Sequence, residues 1–188
     1  MIKKLVAFDF DGTLSNSPMP EEGKKIWKEK KGEEYPHKGW WGRKESLDTD
    51  VFDIHMYDRV KSLLKKETRS KETYVIIITS RMEKLRPQLE KILRDNDIDV
   101  DKVDMKRSER TKGSKILRYT EQFPDLEEID VYDDRDSDLD SYKEIEDKLP
   151  EGIKFKIFHV NEGEVKLVEV EDKLTEIIKD EIRDFIKN

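Results

Sequence analysis

Short, densely apolar runs alternate along this chain with longer stretches in which apolar residues recur every three or four positions. Leu5-Val6-Ala7-Phe8, inside residues 4–10, reads as a buried strand, and Tyr74-Val75-Ile76-Ile77-Ile78-Thr79 as a second, β-branched on both faces. Residues 129–132 and 155–160 predict two more strands, and residues 102–105 a weaker one. Between them lie helical patterns. Residues 57–64 carry apolar positions at helical spacing, and Pro87 suits the first turn of a helix over 88–94 with Leu89, Ile92 and Leu93 on one face. Ile116, Leu117 and Phe123 mark another helix, and Leu139, Tyr142, Ile145 and Leu149 a further one stopped by Pro150. Residues 171–188 predict a C-terminal helix whose stripe includes Leu174, Ile178 and Phe185. Strand–helix alternation of this kind predicts the α/β class: a parallel sheet with right-handed crossovers.

One segment breaks the rhythm. Residues 15–53 show no clean strand or long helix, but hold several prolines and glycines together with Trp27, Trp40 and Trp41. A long irregular insertion inside a compact domain is usually functional. Directly after the first strand, it reads as a small cap over the site, its tryptophans forming a local core or a stacking surface.

The chain has 188 residues, of which 34% are hydrophobic and 44% charged, so a single domain with an economical core is expected. A net charge of −7 disfavours nucleic-acid binding by bulk charge. The absence of cysteine excludes disulfides, thiolate zinc sites and a cysteine nucleophile. No apolar run reaches membrane length, and the first is too short for a signal-peptide core, so a cytoplasmic protein without membrane contact is expected.

In parallel α/β sheets, ligands gather beyond the carboxyl ends of the strands. Here those ends read Asp9-Phe10-Asp11-Gly12-Thr13, then Thr79-Ser80-Arg81, then Asp133-Asp134-Arg135, with Lys112 and Lys115 on a nearby helix. Carboxylates, a hydroxyl and an ammonium should therefore meet on one rim. An EF-hand reading of Asp9-x-Asp11-Gly12 fails, because Leu14 and Pro20 stand where its glycine and glutamate belong.

These motifs, in this order, resemble the haloacid dehalogenase (HAD) superfamily of phosphatases. Gly39-Trp40-Trp41, Glu45-Ser46-Leu47, Ile77-Ile78-Thr79-Ser80-Arg81, Thr111-x-x-Ser114-Lys115 and Tyr132-Asp133-Asp134-Arg135 are similar to the Swiss Army Knife RNA repair-like branch. The final motif is also similar to polynucleotide 3′-phosphatase domains. Ser80, Ser114 and Asp138 depart from the branch, which typically has Gly, an aromatic residue and His there.

The resemblance implies a Rossmann-like HAD fold across residues 1–188, with residues 15–53 as cap, and an Mg²⁺-dependent phosphomonoesterase. Asp9 would be the nucleophile, forming an aspartyl-phosphate, and Asp11 the general acid and base, kept protonated by neighbouring Asp9 and partial desolvation. Asp9, Asp134 and the Asp11 backbone carbonyl would hold Mg²⁺, with Asp133 ligating directly or through water. Thr79 and a lysine would grip the phosphoryl oxygens; the Thr-x-x-x-Lys spacing favours Lys115 over Lys112. Gly12 and Thr13 belong to the substrate loop. Arg81 either reaches the substrate phosphate or pairs with an acidic neighbour.

Two stretches are basic despite the acidic total: residues 24–44, and residues 102–118 with Lys106, Arg107, Arg110, Lys112, Lys115 and Arg118. Positive charge beside the site suits RNA or DNA ends, or nucleotides. A small-metabolite phosphatase and a non-catalytic nucleic-acid-binding module are the alternatives.

Overall fold

A computed structural model of the chain describes residues 1–106 and 110–168; the expected helix over 171–188 and Arg107 lie outside the described residues. Six strands, β1 (Lys4–Phe8), β2 (Thr73–Met82), β3 (Lys102–Lys106), β4 (Glu128–Asp133), β5 (Lys154–Asn161) and β6 (Glu164–Leu167), form one sheet in the order β3-β2-β1-β4-β5-β6. All neighbours are parallel except β5 and β6, which pair antiparallel. The crossovers are α2 (Asp58–Glu67), α3 (Arg86–Asp95), α4 (Lys112–Gln122) and α5 (Asp136–Lys143), with α1 (Pro20–Lys31) lying in the insertion after β1. Strand order reverses direction at β1 and β4, which places the topological switch at their carboxyl ends.

Strand alternation divides the core in two. Val6, Phe8, Val75 and Ile77 face a cluster with α2, α3 and the insertion; Leu5, Ala7, Ile76 and Ile78 face α4 and α5. On the first face Phe8, Tyr132 and Phe158 stack across three strands, with successive ring centroids 4.5 Å apart and planes nearly parallel. The rings follow the strand register, in which Phe8 opposes Tyr132 and Tyr132 opposes Phe158. Because Asp9 follows Phe8 and Asp133 follows Tyr132, this stack helps set two carboxylates side by side.

The insertion is more ordered than its sequence suggests. Pro20 opens α1, Glu21 and Glu22 suit its N-terminal dipole, and Gly32 ends it at φ 73°. Only Gly23 and Trp27 are buried on it, a stripe too narrow to announce a helix by periodicity. Trp27, Trp40, Leu47, Val51 and Phe52 belong to the same buried cluster as Phe8, so the insertion's core is continuous with that of the sheet. The expected helix through Leu149 is shorter as well: α5 stops at Lys143, and residues 146–148 form a separate 3₁₀ turn. Among the described residues, no helix is long and apolar enough to cross a membrane.

Helices α4 and α5 meet at Gly113, where an added Cβ would run into the Ser141 carbonyl oxygen. Gly113→Ala should therefore destabilise the fold by about 1–3 kcal/mol, the usual cost of overpacking. Gly39→Ala, with nothing near its Cβ position, is the matched control. Urea unfolding of both variants checks this, and equal stability would contradict the close approach.

Candidate active site

The carboxyl ends of β1 and β4 carry an acidic cluster. Asp9, Asp133 and Asp134 each offer a carboxylate oxygen, and these oxygens lie within 4.8 Å of one another. Asp9 and Asp133 are buried, and Asp134 is half-buried. Thr13 donates to Asp134 Oδ1 at 3.3 Å. Gly12, at φ 79°, lets the loop turn tightly beneath the same side chain; a Cβ there would collide with the Asp134 carboxylate.

The cation facing this cluster is Lys112. Its Nζ lies 2.7 Å from Asp9 Oδ1, 2.8 Å from Asp133 Oδ2 and 3.1 Å from Asp138 Oδ2. The spacing argument for Lys115 is therefore corrected: Lys115 Nζ turns away to Asp104 Oδ1 at 3.0 Å and to the Met105 carbonyl at 3.1 Å. The reason is local. Thr111 is the N-cap of α4, accepting from the Ser114 N–H at 3.2 Å, so Lys112 sits in the first turn, at the sheet's rim. A buried ammonium there opposes both desolvation and the helix dipole. Asp9, Asp133 and Asp138 supply the compensating charge.

Burial dominates the titration of the cluster. Burial pushes Asp9 well above the ordinary carboxylate range, with Lys112 opposing and Asp133 adding to the rise. Burial also raises Asp133 against the pull of Lys112. Asp134 is pushed up to about 6, by burial first and then by the Asp133 charge. Burial works against the Lys112 charge, but Asp9, Asp133 and Asp138 outweigh it and hold the ammonium above its usual range. Tyr142, fully buried on α5, donates its hydroxyl to Asp133 Oδ2 at 3.2 Å.

Asp11 points elsewhere. Arg81, fully buried, donates Nε to Asp11 Oδ2 at 2.9 Å and Nη2 to Oδ1 at 2.7 Å. Ser17 also donates to Oδ1, and Arg81 Nη1 donates to Ser46 Oγ in the insertion. Trp41 covers the guanidinium, 5.0 Å from ring centroid to Cζ. Of the two roles open to Arg81, the structure shows the acidic neighbour. Both Asp11 carboxylate oxygens accept from Arg81.

Thr79 is buried near the end of β2, and its Oγ1 accepts from the Arg81 N–H at 3.1 Å. Strand alternation puts Arg81 on the same face as Val75, Ile77 and Thr79, although β2–β3 pairing is irregular between Ile78 and Met82. Sequence reasoning missed Ser17, Ser46 as a guanidinium partner, and Tyr142. Asp138, in the first turn of α5, was the available signal for the lysine pocket.

Three carboxylates with no His or Cys offer hard oxygen donors, a set that could hold a metal ion of the magnesium class. The comparisons with known proteins agree with this architecture. The chain matches the model of HAD domain family 1 in Swiss Army Knife RNA repair proteins over residues 17–182, and it belongs to that family. The match begins after Asp9 and Asp11, so their place in the site comes from the strand register. No curated protein matches the sequence.

Among solved structures, a chain of the Pnkp1/Rnl/Hen1 RNA repair complex is 20% identical with a TM-score of 0.52, covering 85% of this chain and 43% of that one. This chain thus spans less than half the length of that RNA repair chain. The HAD domain of the Legionella pneumophila effector Lem4 is 15% identical with a TM-score of 0.51, covering 95% of this chain and 93% of that one. The Legionella pneumophila effector Ceg4 is 13% identical with a TM-score of 0.58, covering 98% and 94%. At these identities the shared property is the fold.

The raised carboxyls fix the sign of a pH effect. Between about pH 4, where unfolded carboxyls titrate, and about pH 6, where folded Asp134 does, the folded state binds more protons. Stability of the metal-free protein should fall as pH rises through that window. Asp134→Asn should flatten the slope. Urea midpoints at several pH values in the presence of a chelator test this, and an unaltered slope in the variant would refute it.

Proposed function

We propose that this domain is a phosphomonoester phosphatase that acts through an aspartyl-phosphate on Asp9, with nucleic-acid ends or nucleotides as substrates. The observation that carries the reading is the meeting of Asp9, Asp133, Asp134 and Lys112 at the topological switch. Family membership agrees, since HAD domains are typically phosphohydrolases.

An anionic nucleophile approaches an anionic ester only where positive charge offsets the repulsion. Mg²⁺, held by Asp9, Asp133, Asp134 and the Asp11 carbonyl, would supply that charge. Lys112, rather than Lys115, is the residue we assign to the phosphoryl oxygens, together with Thr79. It also fixes Asp9 Oδ1, leaving the other carboxylate oxygen for attack.

In the first step an Asp9 oxygen forms a bond to phosphorus, and the bond to the ester oxygen breaks. The leaving oxygen takes a proton from Asp11. In the second, water gives a proton to Asp11 and attacks phosphorus, releasing phosphate and the Asp9 carboxylate. Arg81, which donates to both Asp11 oxygens, would favour that proton transfer by releasing one of them. An incoming phosphoryl group is a competing bidentate partner for the guanidinium.

Asp9→Asn removes the nucleophile with almost no change in volume, and should lower phosphate release at least about a thousandfold while leaving the circular dichroism spectrum unchanged. A phosphomonoester panel spanning oligonucleotide ends, nucleotides and sugar phosphates, run with and without Mg²⁺, provides the assay. Turnover by the variant would overturn the nucleophile assignment. Lys112→Gln should lose about a hundredfold or more, and Lys115→Gln much less. The reverse ranking would restore the spacing argument.

A further inference from the structure

β3 is an edge strand, and beside it lies a groove of about 720 Å³ walled by α3 and α4. An open edge ordinarily invites another strand. Here Arg86 Nη2 donates to the Val103 carbonyl at 3.0 Å, and Lys115 Nζ to the carbonyls of Asp104 at 3.4 Å and Met105 at 3.1 Å. Those acceptors are already taken by cations, so the groove is ill suited to strand addition and presents positive charge.

The groove's carboxylates are mostly committed. Glu90 binds Arg86, Asp104 binds Lys115 and Tyr119, and Asp101 accepts from the Val75 N–H. Asp99 is the acidic group left over among the described residues. Against it stand Arg94, Lys102 and Arg118, all exposed on the groove, none with an ion pair among the described residues. Lys102 rests its ammonium on the Tyr119 ring, 4.9 Å from the centroid.

Helix α4 joins this groove to the acidic cluster. Lys112, Lys115 and Arg118 recur at every third position. Each such step advances about 4.5 Å and falls about 60° short of a full turn. The cations therefore wind from Asp9, through the end of β3, into the groove.

We propose that the groove along β3 holds the phosphodiester backbone of a nucleic-acid strand whose terminal phosphate reaches Asp9. The position of that terminus rests on the phosphatase reading; the groove's own affinity for the strand does not. Arg94, Lys102 and Arg118 contact phosphates without reading bases, so binding should be sequence-independent and sensitive to salt.

The test is fluorescence anisotropy with the full chain, a labelled RNA of about twelve nucleotides bearing a terminal phosphate, and a chelator to prevent turnover. The combined variant Arg94→Gln, Lys102→Gln, Arg118→Gln should bind about tenfold more weakly. Its log–log salt slope should be shallower by about 2, as three lost single-strand phosphate contacts require. A control, Lys66→Gln, Lys148→Gln, Lys154→Gln, removes equal charge outside the groove and should bind as the parent does. Equal weakening by the two variants overturns the proposal. So does an acidic peptide of matched charge that competes as well as unlabelled RNA. Hydrolysis of phosphomonoesters without groove-dependent RNA binding refutes the groove and spares the phosphatase reading. Groove-dependent binding without hydrolysis does the opposite.

Discussion

A single ammonium, buried in the first turn of α4, meets carboxylates delivered by β1, β4 and α5. Its position opposes every local preference for a lysine: it is dehydrated, and it faces the positive end of a helix. Only the surrounding carboxylates make it tolerable, and they in turn could not lie so close without it. The chain's architecture can be read as the means of assembling that cluster. Parallel register aligns the ends of β1 and β4, the ring stack of Phe8 and Tyr132 braces it, and Gly113 lets α4 approach α5 closely enough to deliver the lysine.

Even with Lys112 in place, burial holds the Asp9, Asp133 and Asp134 carboxyls above their ordinary range. Three such carboxylates within 4.8 Å could hold a hard cation, which would answer several of them at once. Arg81 belongs to a second, separate balance with Asp11. The two cations sit on opposite flanks of the Asp9-x-Asp11 element and divide its acids between them.

Much of this was legible in the chain itself, where the chemistry is dense and the periodicity strong. β1 and the middle of β2 (residues 74–78) are almost wholly apolar, and Asp9-x-Asp11-Gly12-Thr13 follows directly on β1. What escaped depended on geometry that spacing does not encode. Lys112 and Lys115 are equivalent as letters; the Thr111 cap decides which faces the rim. α1 buries only Gly23 and Trp27, so its stripe is faint, and β6 is a short, mostly exposed strand added by a tight turn. Arg81 offered two partners, and choosing between them required knowing that the insertion folds over it.

The contacts from Arg81 to Ser46 and Trp41 carry an implication for the history of the domain. A segment inserted after β1 is ordinarily free to drift or to be exchanged wholesale. Here it supplies a hydroxyl and an aromatic ring to a charge rooted in β2, so neither piece is self-sufficient. A foreign insertion would leave Arg81 paired with Asp11 but would take away the hydroxyl on Nη1 and the ring over the guanidinium. Insertion and strand are thus matched through a single side chain, as one module written in two places.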